Sequence, residues 1–457
     1  RNALRSGKFS NGRRTGVKQK DLLRQMCDYA LGRALRKGAQ HARVAAISNT
    51  ANELSVLNDS IETIQKAVDS SLMIHLFVDG RYGTCSTNKA DPSGIDKLLD
   101  DAIASVRLLA PDPFRKLVPA ELRYEGDPLY SAHRGSVDTG VKKAFLTGCA
   151  ASIWGKDPAL ISITAGYSDY RRWLHLADTD GLNCTSEETW YSLSVECAVR
   201  GRGDARPSDW DYQGGIRPED IGMGQGNPCK CAASALERAL AKRNPRKIGS
   251  GRYQVIVENR VAATLLSPLI DAMSGSSLQQ QNSFLLDKLG KSIASPALTL
   301  IDNPRRKGSP GYRFFDSEGL RTAKRTVIET GRLNTFFLNT YHALKMQMPP
   351  TISSPSLLFV KAGKGNSATF AGLIKNGIFV TGFNGGNCNT ATGDFSYGIE
   401  GFKVENGQIT YPVNEMVMTG NMLDLWDRLL AAGDDALKTM SWQIPTLLFD
   451  NIEFAGL

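Results

Sequence analysis

The sequence predicts an α+β protein with an N-terminal domain of mixed helices and antiparallel sheet and a C-terminal domain that is rich in sheet. Helix-like and strand-like segments do not follow the regular βαβ alternation that builds parallel sheets. Asp-Gly and Asn-Gly pairs, which favour tight hairpins, stand between several strand-like segments. The 457 residues, of which 41% are hydrophobic, suffice for two or three domains with separate cores.

The N-terminal domain is predicted at 21–225, after a basic tail at 1–20. A helix is expected at about 20–37, because apolar residues recur at helical spacing before Gly38, a residue type that commonly ends helices. Asp79-Gly80 is expected to form the turn of a hairpin. The other elements predicted here are strands at 71–78 and 82–87, a helix capped by Ser93 and ended before Pro111, a helix at 138–154, and strands at 160–166, 171–177 and 188–199.

The C-terminal domain is predicted at 226–457. The preceding stretch 201–227, rich in Arg, Gly, Pro and Asp, is typical of a boundary between domains. The elements predicted in this domain are helices at 229–243, 261–273, 337–347 and 419–431, strands at 253–257 and 446–454, and hairpin turns at Thr330-Gly331 and Asn406-Gly407.

The net charge of +9 is concentrated in the tail. Segment 1–20 contains seven lysines and arginines and no acidic residue, so the rest of the chain is nearly neutral. A nucleic-acid-binding domain concentrates basic residues on a folded face, and we therefore expect no direct nucleic-acid binding. We interpret the tail as a solvated arm or as one that a partner orders.

We expect a cytoplasmic protein that does not insert into a membrane. No window approaches the eighteen consecutive apolar residues of a membrane helix, and the start lacks the apolar region of a secretory signal. The eight cysteines of this large chain are interpreted as free thiols in a reducing compartment.

The segment 382–402 is the most informative part of the sequence. It contains six glycines interleaved with Asn, Thr, Asp and Ser. Such a backbone turns through conformations that glycine adopts most easily, and it leaves small polar groups available to a ligand. The segment resembles the C-terminal signature of the TldD/PmbA family. Further segments that match the family in order, so that the resemblance covers nearly the whole chain, are 38–44, 78–83, 86–88, 315–319, 329–333, 412–415 and 420–422.

The resemblance implies that the glycine-rich segment lines a groove for a flexible peptide. Asp394 has a second interpretation, in which its carboxylate bonds to an amide of the turn, and both remain open at this point. The residues expected in the groove are Asn384, Asn387, Thr392, Asp394, Ser396 and Tyr397.

The resemblance also separates this chain from the zinc-bearing TldD branch. There, an HExxxH motif follows the strand that 253–257 resembles, and it supplies two zinc ligands and a general base. Here Leu266, Ser267 and Asp271 occupy those positions. The family's cysteine ligand near the last strand is likewise missing from Gln443-Ile444-Pro445. We therefore expect a PmbA/TldE-like chain without catalytic residues, metal or other cofactor, and we expect zinc on a TldD-type partner.

Other sequence patterns give weaker indications. The five histidines are scattered, and the pair Cys229 and Cys231 has no second ligand pair at zinc-ribbon spacing. An SxxK pattern at Ser86 lacks companion motifs and is interpreted as coincidence. Asp316 and Glu318, two apart on a predicted strand, could pair their carboxylates, but a solvated strand edge is the preferred interpretation.

The family resemblance leads to a specific functional expectation. It implies a non-catalytic subunit of a TldD/TldE-type metalloprotease that processes flexible peptides, a family associated with microcin maturation, antitoxin turnover and the label of DNA gyrase modulator. One alternative is a homodimeric peptide-binding or regulatory protein without protease activity. Another is an active metallopeptidase whose metal site is assembled from Asp271, Asp316, Glu318 and Asp394.

Overall fold

The computed structural model describes residues 11–127, 129–133, 135–225 and 229–456. The first half builds one long, strongly paired sheet with helices against it. The elements of this half are α1 (Asn11–Arg36), β1 (His41–Leu57), β2 (Ser60–Val78), β3 (Arg81–Thr87), α2 (Pro92–Val106), β4 (Leu129–Ser131), α3 (Thr139–Ala151), β5 (Leu160–Asp178), β6 (Asn183–Val199), β7 (Ser208–Gly215) and α4 (Cys229–Ala241).

The N-terminal sheet has the strand order β3-β2-β1-β5-β6-β4, with β7 also paired to β6. All of these pairs are antiparallel except β4 with β6. Two separate cores cover the same face of β1, because its even-numbered residues point to the helices. Val44 packs with α1 and α2 at one end of the strand, whereas Leu54 and Val56 pack with α3 and α4 at the other.

Charged residues occupy the helix-facing side of the sheet between these two cores, and we call them the polar seam. Glu187 accepts hydrogen bonds from Lys20 at 2.9 Å and from Arg171 at 2.8 Å. Lys142, only 4% exposed, lies 2.5 Å from the Asp169 carboxylate. Each buried cation in the seam therefore faces a carboxylate, as burial of charge requires.

The second half forms a small central sheet and a closed C-terminal sheet. Its elements are β8 (Gly251–Val257), α5 (Ala263–Ala272), α6 (Gly275–Gln279), β9 (Leu300–Asp302), β10 (Arg325–Glu329), β11 (Arg332–Leu333), α7 (Thr340–Lys345), β12 (Leu358–Val360), α8 (Ser367–Ala371), β13 (Asn376–Cys388), β14 (Asp394–Glu405), β15 (Gln408–Asn421), α9 (Met422–Asp427), β16 (Leu429–Ala432), β17 (Trp442–Gln443) and β18 (Leu447–Gly456).

The C-terminal strands close into a barrel. The order β15-β14-β13-β8-β18-β16 is completed by a second pairing between β15 and β18, so five strands form a ring. The largest hydrophobic core includes residues from each of them, among them Val255, Ile378, Ile399, Met418 and Phe454. The central sheet, with the order β11-β10-β9-β12-β17, packs into the same core. The predicted α+β fold class and the sheet-rich C-terminal half are confirmed.

Several predicted boundaries are wrong in detail. Helix α1 begins at Asn11 rather than at about residue 20, so half of the predicted tail is helical, while 1–10 lie outside the described residues. The predicted strands at 160–166 and 171–177 are one strand, β5. Helix α2 is capped by Asp91, not Ser93, because the Asp91 carboxylate accepts from the Gly94 amide at 2.8 Å.

The helix predicted at 419–431 is shorter than predicted, at Met422–Asp427, and strand flanks it on both sides. Strand β15 runs to Asn421, and α9 ends at Asp427 before β16 begins. The cause is local: the Asn421 side chain caps α9 by accepting from the Leu423 amide at 3.0 Å, which fixes the start of the helix there.

The stretch 201–227, predicted as a loop, includes strand β7. Helix α4, which follows it, packs its Ala232 and Ala235 into the core beneath β5 and β6. Cys27, Cys184, Cys197 and Cys231 are buried free thiols. No helix in the described parts of the chain combines the length and the apolar character needed to cross a membrane.

Candidate functional site

The glycine-rich segment forms the hairpin of β13 and β14. Gly386 has φ of 101°, and a Cβ there would lie 1.9 Å from the Ser396 carbonyl oxygen, so no side chain fits at this position. Gly398 leaves room for Asn384, whose Oδ1 would be 2.3 Å from a Cβ at Gly398. These glycines let the two strands approach closely around the irregular register between Phe383 and Gly386.

A hydrogen-bond network fixes the tip of this hairpin. The Asp394 carboxylate accepts from the Asn421 side-chain amide at 3.0 Å and from the Thr392 hydroxyl at 2.8 Å. The same Asn421 amide donates to the Thr392 carbonyl at 2.9 Å. These bonds, the one from Asn421 foremost, hold the pKa of Asp394 below its usual range. The Asp394 side chain thus anchors the tip to the start of α9.

The six side chains expected in a groove do not share one face. Asn384, Asn387, Thr392 and Ser396 are exposed, as is Asp394, and Asn387 lies directly opposite Ser396 in the ladder. Tyr397 is only 7% exposed and lies in the main core. Successive strand residues point to opposite faces, so Ser396 and Tyr397 separate. The hairpin therefore presents a polar outer face and an aromatic inner face.

The inner face lies near helix α5, close enough for the Asp271 carboxylate to influence the pKa of Cys388 and of Tyr397. Burial raises the pKa of Asp271, partly offset by a hydrogen bond from the Ser267 hydroxyl. Burial, with the nearby Asp394 and Asp271 carboxylates, raises the pKa of the Cys388 thiol to about 11. Burial also raises the pKa of Tyr397 to about 12, with further contributions from Cys388 and Asp271. Sequence reasoning missed Cys388, although it stands inside the segment that it singled out.

The residues at the family's metal positions do not fit zinc. Leu266 is fully buried in the core and has no donor atom. Gln443 is held elsewhere, because its Oε1 accepts from Arg306 at 3.0 Å and its amide donates to the Met440 carbonyl at 3.1 Å. Zinc requires at least three nitrogen, sulfur or carboxylate ligands in one place. Within the described residues no three His, Cys, Asp or Glu side chains are arranged to hold a metal.

Asp316 and Glu318 lie in a turn rather than on the predicted strand, and their carboxylates have different partners. Asp316, 2% exposed, accepts from the amides of Glu318 at 2.8 Å and Leu320 at 3.1 Å. Glu318 accepts from the Thr340 amide at 2.8 Å and lies 3.7 Å from the Arg43 guanidinium. The Asp316 carboxylate thus stabilises the backbone of the turn, and the Glu318 carboxylate joins the two halves of the chain.

Comparison with known proteins gives a consistent result. Family models described as PmbA/TldA metallopeptidase domain 1, central domain and C-terminal domain match residues 42–106, 133–243 and 250–456. The Metalloprotease PmbA homolog of Haemophilus influenzae is 28% identical over 96% of this chain and 97% of its own length. Metalloprotease PmbA of Escherichia coli O157:H7 is 27% identical over 96% and 98%.

Solved structures agree with these relatives. A Bacteroides thetaiotaomicron protein, described as a proposed modulator of DNA gyrase, is 39% identical, with a TM-score of 0.89 over 95% of this chain and 99% of that one. TldE from Thermococcus kodakarensis has the same fold, with a TM-score of 0.83 at 20% identity over 94% and 100%. The resemblance predicted from the sequence is confirmed, and the chain belongs to the PmbA/TldD metallopeptidase family.

Proposed function

We propose that this chain is the TldE-type, non-catalytic subunit of a two-component peptidase that processes flexible peptides. A zinc-bearing TldD-type subunit would perform the hydrolysis, and this chain would supply part of the surface that holds the peptide. The observation that carries the proposal is the composition of α5. Leu266 is buried at the position of a zinc ligand, and Ser267 stands where the general base would be.

The hairpin supports a role in holding peptides. Strand β8 pairs with β13 only from Gly377 to Val380. Among the described strands none pairs with that same side of residues 381–388. A free strand edge binds an extended peptide through main-chain hydrogen bonds and therefore makes little demand on its sequence. Asn384 and Asn387 on the exposed face add donors and acceptors beside this edge.

The test combines metal analysis with peptide cleavage. The purified chain is analysed for bound metals and is then incubated with a labelled flexible peptide, alone and together with a zinc-bearing TldD-type subunit. We expect no stoichiometric zinc and no cleavage by this chain alone, and cleavage in the mixture that a chelator abolishes. Chelator-sensitive cleavage by this chain alone would overturn the proposal.

A hairpin variant tests the surface itself. The double variant Asn384→Ala, Asn387→Ala should raise KM for the peptide in the mixture several-fold and leave kcat unchanged, because it removes contacts made equally in the bound substrate and in the transition state. Gln408→Ala, an exposed change at the opposite end of β14 and β15, is the matched control. If the chain forms a stable dimer that binds peptide but never supports cleavage with any TldD-type subunit, the proposed subunit role is wrong and a homodimeric binding protein is favoured.

A further inference from the structure

A cleft separates the outer face of the N-terminal sheet from the loops of the C-terminal half. Its volume is about 320 Å³. Pockets for small ligands span roughly 300–1,000 Å³, so this one has room for a single large side chain with its flanking backbone. The residues that line it include Tyr170, Glu188, Trp190, Tyr312, Ser356 and Ser441.

The sheet side of the cleft is an aromatic platform. Tyr170 and Trp190 are directly opposite one another on β5 and β6, so their side chains stand together on the face without helices. A Cβ at Gly214 would lie 2.5 Å from the Trp190 ring, so the indole rests against the bare backbone of β7. The Trp190 indole N–H donates to the Tyr212 hydroxyl at 3.3 Å. Tyr170 remains 40% exposed, which leaves a ring available for contact.

The opposite wall is equally fixed. Gly311 has φ of 75°, and a Cβ there would lie 2.1 Å from the Ser356 carbonyl oxygen, so this loop is tightly packed. The Arg313 guanidinium donates to the Ser356 hydroxyl at 2.5 Å. The ring of Tyr312 packs edge-on against Phe314, with 5.2 Å between centroids. Both walls are therefore in place before any ligand arrives, which reduces the entropy lost on binding.

The chemistry of the cleft favours an uncharged planar group. Glu188 is its only charged lining residue among those described, and Arg172 lies 3.9 Å from that carboxylate and balances it. No lysine or arginine is among its described lining residues to meet a phosphate. Aromatic rings instead prefer to pack on other aromatic rings, in stacked or edge-on geometry. Tyr312, Ser356 and Ser441 also line the cleft, and their hydroxyls can donate hydrogen bonds to a peptide backbone or accept them from it.

We propose that this cleft binds an aromatic side chain of an extended peptide and so gives the chain a sequence preference. The proposal rests on the peptide-handling role proposed above and specifies the class of peptide. The strand edge of β13 would hold main chain regardless of sequence, whereas this cleft would select segments that carry Phe, Tyr or Trp.

The experiment measures binding to the chain alone, without a TldD-type partner. Dye-labelled peptides of Gly, Ser and Gln with one central Phe, Leu or Ala are titrated by fluorescence anisotropy. We expect the Phe peptide to bind about tenfold more tightly than the Ala peptide and about threefold more tightly than the Leu peptide. Tyr170→Ala should remove the preference, and the half-exposed ring can be removed without disturbing the core. Tyr411→Ala is the matched control, because that ring packs on Arg246 in the barrel.

The outcomes separate the two proposals. Equal affinities for all three peptides, absence of binding, or a preference that survives Tyr170→Ala would overturn the assignment of the cleft. Loss of the preference in Tyr411→Ala as well would also overturn it. The cleavage test of the subunit role is run with the Ala peptide, so it can succeed when the cleft proposal fails and fail when the cleft proposal succeeds.

Discussion

The Glu318 carboxylate lies 3.7 Å from the Arg43 guanidinium, and the two residues belong to different halves of the molecule. Arg43 is on β1 and is 5% exposed, whereas Glu318 lies in the turn that also contains Asp316. Glu318 also accepts from the amide of Thr340 at the start of α7. One carboxylate thus neutralises a buried cation of the N-terminal sheet and fixes a helix of the C-terminal half.

Glu318→Gln should lower the free energy of unfolding by about 2–4 kcal/mol, because it leaves a buried guanidinium without its counter-charge. Urea denaturation at pH 7 measures the change. Glu415→Gln is the control, since Glu415 pairs with Lys247 at the exposed surface and such pairs contribute about 0–1 kcal/mol. Equal effects of the two variants would show that the Arg43 contact is energetically unimportant.

Gly386→Ala should destabilise the protein by more than about 2 kcal/mol. The added Cβ would collide with the Ser396 carbonyl, and the φ of 101° is unfavourable for any L-residue. Gly249→Ala places its Cβ in open space and serves as the comparison in the same denaturation experiment. A stability of Gly386→Ala close to that of Gly249→Ala would contradict the close approach of β13 and β14.

His75 should make stability sensitive to acid. Burial, followed by the Arg43 and Arg115 charges, lowers the pKa of His75 to about 4. A histidine with a depressed folded pKa binds fewer protons than in the unfolded chain, so its contribution is present above pH 6.5 and is lost as the pH falls toward 4. The loss amounts to at most about 3 kcal/mol at pH 4.

The pH dependence can be assigned by substitution. Thermal unfolding between pH 4 and 7 should show a smaller acid loss in His75→Gln than in the parent protein. His41→Gln replaces an exposed histidine and is the comparison in the same experiment. Parallel profiles for the parent and His75→Gln would rule out His75 as the cause.

Arg238→Lys should lower the free energy of unfolding by about 1–2 kcal/mol, although it preserves the charge. The Arg238 guanidinium donates to both Glu258 oxygens, at 2.7 and 2.9 Å, and a lysine cannot reproduce this bidentate geometry. Arg252→Lys changes a half-exposed pair with Glu453 and should cost less than about 0.5 kcal/mol. Denaturation of both variants measures how much free energy of unfolding each one loses. Equal losses would argue against a special role for the Arg238 pair.

Local patterns in the sequence predicted several elements well. Helix α5 was expected at 261–273 and is observed at Ala263–Ala272, because its apolar residues recur at helical spacing. The Asp79-Gly80 hairpin is also present, with both residues at positive φ. Such features depend on neighbours in sequence, and a single chain is enough to detect them.

Features that depend on distant contacts were not predicted. The pairing of β15 with β18, which closes the barrel, joins Met416 to Gly456, and no local pattern encodes it. The alternation of side chains along a strand could have predicted that Ser396 and Tyr397 point to opposite faces. The segment was instead expected to be a loop that lines a groove. The Asp271 carboxylate of α5 is near enough to Cys388 of the hairpin to help raise the pKa of its thiol, and only the tertiary structure shows this proximity.

The long pairing of β1 with β5 has a mechanical consequence. The first two family units meet within one sheet, where β1 and β5 are paired continuously from Arg43–Asp178 to Leu57–Thr164. A cut in the backbone between residues 107 and 119 would therefore not separate the two units, because the hydrogen bonds between β1 and β5 would still hold the fragments together. Any large-scale opening of the molecule must instead occur between the N-terminal sheet and the barrel, where few strands cross. The ion pairs Arg43–Glu318 and Arg238–Glu258 hold the two parts together there.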